Sequence, residues 1–279
     1  MLHRSSIRLY ACLAAALLLV SAQADAQFAR RSVEDPATGE VYHIEGSAGF
    51  WSPGAEMVIS SESLGIPGDT INFRTDLGLT DQRFREVQLT LRPSKKSKFR
   101  FQYIPIKYRQ TATVMRDITF NGQLYRVGLP VESSLDWKAY RFTYEYDFVS
   151  LNRGFAGFLL EAKYTDVGAT LDSPSVANSS IHEFARARAP IPAIGGIVRV
   201  YVVPNISITG ELSGIKIPDS VSDKYKAHYA DLDVYGTLNI NRYVGIRAGY
   251  RSFDLGYLVE QDTGSFVLDG VYFGVIARY

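Results

Sequence analysis

The sequence predicts an all-β protein: a transmembrane, antiparallel, up-and-down β-barrel of ten strands. Three observations carry this prediction. Apolar and polar residues alternate with a period of two along most of the chain beyond residue 40, which sends successive side chains to opposite faces of a strand. The connections between these stretches are short and long by turns, as in a membrane barrel with tight turns on one side and long loops on the other. No window after residue 26 is long and apolar enough for a membrane helix, and a closed barrel is the other fold that satisfies every backbone group in lipid.

The first 26 residues have the make-up of a secretory leader. Arg4 and Arg8 form a basic start, residues 9–20 are an apolar core too short for a confident span, and Ala22, Ala24 and Ala26 offer small residues at cleavage spacing. Cleavage is expected after Ala26, with Ala24 as the alternative. The single cysteine, Cys12, lies inside this leader, so the remaining chain has no thiol for disulfides or thiolate chemistry. Loss of Arg4, Arg8 and Asp25 takes the formal net charge from +1 to zero, and no global field favours nucleic acid or an acidic partner. Residues 27–40 are polar, contain Pro36, and are expected to be a periplasmic lead-in to a barrel over residues 41–279.

The strands follow in order. Residues 41–51 place Tyr42, Ile44, Ala48 and Phe50 opposite His43, Glu45 and Ser47. The stretch to residue 83 is interrupted by serines, glycines and Pro67; residues 70–79 could extend a strand, and the role of residues 55–80 is not legible. Residues 84–93 alternate Val87, Leu89 and Leu91 against Glu86, Gln88, Thr90 and Arg92, and residues 93–98 form a polar turn. Phe99, Phe101 and Tyr103 begin the return strand. Lys107 and Arg109 then occupy the formerly apolar face, so a bulge is expected at Pro105. Residues 111–131 form an outer excursion with a hairpin turn at Asn121-Gly122. The clearest strand is 137–148, with Tyr140, Phe142, Tyr144, Tyr146 and Phe148 on one face. It turns at 150–154 into a strand carrying Ala156, Phe158, Leu160, Ala162 and Tyr164. After a polar loop at 171–180 comes a strand at 182–203, where the phase of the apolar residues suggests a break at Gly195-Gly196. Strands carrying Ile206 to Leu212, Ala230 to Ile240 and Tyr243 to Tyr257 follow, then a loop at 260–265 and a final strand. Ten strands put both ends on the same side. Eight result if the region before Phe84 does not pair, and twelve if the outer hairpin is embedded.

A soluble lipocalin-like barrel would also alternate, with its apolar set inside. The number of strands, the many Tyr and Phe of the apolar set, and the position of the chain's last residue in a strand speak for the membrane form. In that strand Val271, Phe273, Val275, Ala277 and Tyr279 alternate with Gly270, Gly274 and Arg278. This ending resembles the C-terminal strand of bacterial outer-membrane β-barrels, which close on an aromatic residue. The resemblance implies an outer-membrane location, outer-membrane lipid as surroundings, and recognition of these five residues by the barrel-assembly machinery. It covers this strand sharply and the rest as pattern, and class alone does not fix function.

If the apolar set faces lipid, the lumen receives Glu45, Glu86, Arg92, Arg100, Arg141, Glu145, Asp147, Glu161, Lys163, Arg199, Glu211, Asp231, Asp233, Arg247 and Arg251. Acids and bases nearly balance. In a narrow barrel they are expected to pair, because a lone desolvated charge is costly; the sharper alternative is a selectivity lining. Beyond the leader the histidines are His43, His182 and His228. His43 and Ser47 share a face but lie about 13 Å apart along a strand, too far for a nucleophile and its base. His182 and His228 fall near outer ends, within reach of Glu183 or Asp223. No spacing suits a metal, no glycine-rich loop opens a helix, and no cofactor is called for. The expectation is therefore a non-enzymatic barrel with a structural or surface-interaction role and a charge-filled lumen. A narrow channel for a small or apolar solute and a hydrolase carried on the loops are the alternatives.

Overall fold

Alternation becomes strand throughout the computed structural model, which describes residues 37–60, 69–120, 123–172, 183–216, 225–259 and 262–279. The leader at 1–26 and the lead-in up to residue 36 lie outside the described residues. Ten strands form the wall: β1 (Ile44–Ser60), β3 (Phe84–Leu91), β4 (Ser97–Thr113), β7 (Pro130–Leu151), β8 (Gly154–Asp172), β9 (Glu183–Val203), β10 (Ile206–Lys216), β11 (Tyr225–Asn239), β12 (Val244–Val259) and β13 (Asp262–Arg278). A two-residue strand β2 (Ile71–Asn72) pairs with the outer end of β1, and β5 (Ile118–Phe120) pairs with β6 (Gln123–Tyr125) as a separate hairpin. The Asn121-Gly122 turn of that hairpin lies outside the described residues.

Neighbours in the chain are neighbours in the wall, and β1 pairs with β13 from Glu45↔Arg278 to Ser60↔Thr263. The barrel is thus closed and every wall pairing is antiparallel. The ends meet at one rim, where the Ile44 amide donates to the Tyr279 carbonyl at 3.0 Å and the Tyr279 amide donates to the Ile44 carbonyl at 2.8 Å. Local chemistry makes the tight turns at this rim. The Asn241 side-chain oxygen accepts from the amides of Tyr243 at 2.8 Å and Val244 at 2.9 Å, and Ser94 Oγ accepts from those of Lys96 and Ser97.

Two expected irregularities are absent. The β4–β7 register runs without interruption through Ile104↔Ala139, Pro105↔Lys138 and Ile106↔Trp137, so Pro105 makes no bulge. Beyond Tyr103, β4 is not paired with β3, and such an edge tolerates a proline. Likewise β9 passes Gly195 and Gly196 in register with both neighbours. A register shift does occur between Asp147 and Val149. The last loop is also shorter than expected, because β12 and β13 pair as far as Val259↔Asp262.

What changes along these strands is the chemistry of each face. On β7 the outward residues Tyr140, Phe142, Tyr144, Tyr146 and Phe148 are apolar or aromatic and the inward Arg141, Thr143, Glu145 and Asp147 are polar. Further out on the same strand Glu132, Ser134, Asp136 and Lys138 face outward, while Val131, Leu135 and Trp137 are buried inside. The pattern is that of a membrane barrel up to Tyr140 and of a water-soluble barrel beyond it. Strand β4 inverts in the same way, with Phe99, Phe101 and Tyr103 outside first, then Ile104, Ile106 and Tyr108 inside.

The inversion marks where lipid ends. Tyr103, Tyr140 and Tyr164 occupy one register row, with ring centroids 4.8 Å and 6.3 Å apart, and the next row outward holds Pro105, Lys138 and Asp166. An aromatic row followed by charges is the signature of a bilayer interface. From Tyr140 to Phe148 the strand rises roughly 20–25 Å, the height of a transmembrane barrel's apolar band. The part of β7 beyond Tyr140 stands roughly 20 Å above it. Inside this outer part, Trp51, Met57, Ile71, Phe73, Trp137 and Leu268 pack into one hydrophobic core.

Candidate functional site in the barrel lumen

The membrane-level lumen is built from inward positions two apart on each strand, so charged side chains from all around the wall converge there. All fifteen charged residues singled out from the sequence lie on this inner face, and the structure pairs each of them. Near the rim where Ile44 and Tyr279 meet, Glu45 accepts from Arg247 at 3.3 Å and Arg278 at 2.6 Å. Next to them Lys98 bridges Glu145 at 2.5 Å and Asp147 at 3.0 Å. Arg100 holds Glu211 with one nitrogen in contact with both carboxylate oxygens, at 2.8 and 2.9 Å, and approaches Glu145 at 3.2 Å. Arg251 joins Glu86 at 2.8 Å to Asp233 at 2.9 Å. At the top of the layer Lys163 meets Glu161 at 2.8 Å and Asp231 at 3.4 Å, and Arg141 contacts Asp231 directly.

Tyrosines complete the lattice. Tyr235 donates to Glu211 at 2.8 Å, Tyr272 to Asp233 at 2.7 Å and Tyr229 to Asp231 at 2.6 Å. Arg199 reaches Thr209 and Tyr235 as well as Glu40. Removal of charges from water costs several kcal/mol per ion unless geometry and further hydrogen bonds offset it, and here every carboxylate of the layer meets at least one base. Asp147 is fully buried and Glu145 is 1% exposed.

Three charged members escape a reading of the sequence. Lys98 belongs to a stretch with every appearance of a turn, and Arg278 to the polar side of the terminal strand. Glu40 precedes the first strand, yet its carboxylate accepts from Arg92 at 3.0 Å, Arg199 at 2.9 Å and the Tyr201 hydroxyl at 2.7 Å. Residues 37–40 lie across the mouth of the barrel at the rim where Ile44 and Tyr279 meet. The Ala37 amide donates to the Asn152 carbonyl and the Thr38 amide to the Pro204 carbonyl, in two different rim turns. Gly39 has φ +87°, and a Cβ there would meet Arg278 and Asn239 within 3 Å, so glycine is what lets the segment sit this deep. Burial pushes the Glu40 carboxyl up, but Arg199, Lys98 and Arg92 outweigh it and, with Tyr201, hold it down at about 2.

Little room is left. A gap of about 10 Å³ among Arg100, Gln102, Glu211 and Arg247 is the size of one water. A larger cavity of about 40 Å³ lies where the ion pairs meet the apolar core, between Trp51, Ile104, Trp137, Lys163 and Phe253. Among the described residues the histidines form no catalytic group. His228 lies on the outer face 3.4 Å from Asp254, rather than beside the expected Asp223, which is outside the described residues along with His182. His43 is exposed, next to the start of β1. No group of three His, Cys, Asp or Glu that could hold a metal occurs among the described residues.

No family model and no curated protein sequence matches the chain. Solved structures do. The chain is similar to the outer-membrane protease OmpT from Escherichia coli at a TM-score of 0.55 and 7% identity, over 89% of this chain and 100% of that one. The fold is that of a bacterial outer-membrane β-barrel. Weaker likenesses include the toluene transporter TodX from Pseudomonas putida, at a TM-score of 0.37 and 7% identity over 88% of this chain and 93% of that one. Neisserial surface protein A gives 0.35 and 12% over 85% and 97%.

Proposed function

We propose that this chain is an integral outer-membrane barrel closed to solutes, with a structural or surface-interaction role exercised by the part that stands outside the lipid. One observation carries the reading: the lumen is filled at three heights. Residues 37–40 cover the periplasmic mouth, the ion-pair lattice fills the membrane level, and the apolar core fills the outer level. The gaps between them hold a water or a few, too little for a continuous path.

The leader at 1–26 delivers the chain to the envelope in this reading, and Val271, Phe273, Val275, Ala277 and Tyr279 present the signal that the barrel-assembly machinery reads. Their outward, lipid-facing position supports it. The test is conductance of the purified protein in a planar bilayer. No steady current is expected. A steady, ion-selective current from the unmodified protein would overturn the closed lumen and favour a narrow channel for a small solute.

A further inference from the structure

Both tryptophans of the chain border one cavity. Trp51 on β1 and Trp137 on β7, each 2% exposed, wall it together with Ile104, Ile106, Phe253 and Leu268. The space measures about 40 Å³ and lies where the ion-pair lattice gives way to the apolar outer core. The Trp51 indole N–H donates to the Gly270 carbonyl at 3.3 Å. That of Trp137 is buried and has no acceptor among the described residues. Folded interiors leave few donors unpaired, so one that borders an open space calls for a reason.

The lining decides what could fill the space. At its floor Lys163 is already held by Glu161 and Asp231, Arg251 by Glu86 and Asp233, and Arg141 by Asp231. A charged guest would therefore compete with ion pairs that are already made. Water needs about two to four polar partners and is poorly served by one free donor among indole, phenyl and aliphatic side chains. A neutral molecule with an apolar body and one acceptor fits better. Since one water needs about 10–15 Å³ of such space, the guest has about three or four non-hydrogen atoms.

The wall beside the cavity is weakly joined. Pairing of β3 with β4 ends at Val87↔Tyr103, in the aromatic row at the lipid interface, and Ile104 and Ile106 come next on β4. Beyond that point residues 73–83 run alongside β4 with no backbone hydrogen bond to it among the described residues. Side chains make the contact across this split. Phe84 meets Tyr108 edge to face at 5.0 Å, and the Thr80 hydroxyl donates to Gln110 Oε1 at 3.5 Å. Such a seam opens locally at less cost than a ladder of backbone bonds.

We propose that the cavity is a binding site for a small neutral molecule, mainly apolar with one hydrogen-bond acceptor, which enters from the lipid interface between β3 and β4. Short-chain ketones and ethers belong to this class. Trp137 donates to the acceptor, while Trp51, Phe253 and Leu268 enclose the apolar body. The molecule is taken in sideways and goes no further, because the ion pairs beneath it stay closed. The site thus adds a ligand to a barrel that conducts nothing along its axis.

The experiment uses the full barrel in lipid vesicles and reads tryptophan emission, because both reporters border the cavity. Bromoethane, a small heavy-atom quencher, probes the apolar space; acetone competes for it, and iodide reports access from water. Quenching by bromoethane is expected to saturate, to be relieved by acetone and to far exceed that by iodide. Trp137→Phe keeps Trp51 as reporter and removes the free N–H. Acetone should then compete about five- to tenfold less well, while bromoethane still saturates. Ile106→Phe, which fills the space, is expected to abolish the saturable phase. Thr80→Cys and Gln110→Cys, joined by a short bis-maleimide, are expected to slow the onset of quenching. Heat-modifiable mobility on a gel confirms that each variant is folded. Quenching that rises linearly, survives Ile106→Phe or is matched by iodide would overturn the site. Unchanged competition by acetone in Trp137→Phe would overturn the role of the donor, and an unchanged onset in the cross-linked barrel would overturn the route.

Discussion

The Glu40 carboxylate accepts a hydrogen bond from Arg199 at 2.9 Å, across 159 positions of sequence. A residue from ahead of the first strand thereby fills the mouth at the rim where the first and last strands meet. Its carboxyl is held at about 2, below the ordinary 4.5, because Arg199, Lys98 and Arg92 outweigh the effect of burial. A depressed carboxyl stabilises the docked segment fully above pH 4.5 or so, and the contribution fades as pH falls towards 2. The contribution is at most about 3 kcal/mol. Proteolytic release of the segment should therefore rise between pH 5 and pH 2 in the unmodified barrel. Glu40→Gln should be released more readily at pH 7 and show a flatter profile; an unchanged profile would mean that Glu40 does not hold the segment.

A second prediction follows from the inversion on β7. Arginine placed at Phe142 or Tyr144 should cost roughly 2–4 kcal/mol, while arginine at Ser134 or Asp136 should cost little, because those positions face water. Folding titrations of the four variants in lipid vesicles measure the difference. Equal costs at all four would remove the outer boundary from its place beside Tyr140.

A third concerns the lattice. Arg251→Gln leaves Asp233 and Glu86 without their guanidinium and should destabilise by about 3–5 kcal/mol. Adding Asp233→Asn should recover part of that loss, because it removes one of the stranded charges. Thermal unfolding followed by gel mobility gives both numbers, and additive losses would show that the two side chains do not act on each other.

The fourth concerns closure. Tyr279 exchanges backbone hydrogen bonds with Ile44 and, at 85%, is the most exposed large hydrophobic side chain among the described residues. Replacement of Tyr279 by Asp, or deletion of residues 275–279, should reduce the folded barrel recovered from outer-membrane fractions, the deletion more severely because it also removes seam pairs with β1. Normal recovery of the deleted chain would contradict both the seam and the proposed assembly signal.

The alternation of Tyr140 to Phe148 against Arg141 to Asp147 was enough to give the wall, its facing and the composition of the lumen. It failed where the environment changes rather than the backbone. Lys107 and Arg109 carry the pattern of a slipped register only if apolar residues point outward along the whole of β4; in the structure Ile104, Ile106 and Tyr108 keep the register and form an apolar interior beyond the lipid-facing band. The same cause made Gly195-Gly196 look like a break. Partners were not legible, since Arg100 meets Glu211 across the lumen and stagger alone decides which strands face each other. Glu40 was beyond reach because a residue outside the repeating pattern carries no sign of where it folds back.

The two-part strands have a consequence for how the barrel reaches its place. In β7 the outward Glu132, Asp136 and Lys138 stand beyond a lipid-facing band, so they must travel through the bilayer before the band can settle in it. Lys138 meets a barrier of roughly 2–4 kcal/mol at mid-depth and the two acids a smaller one, and the strands on either side carry more such charges. Insertion is therefore a transit problem more than an equilibrium one: the finished protein can be stable in lipid while its unaided entry is slow. Thin or defect-rich bilayers, which shorten the transit, should accelerate entry much more than they change the stability of the inserted protein.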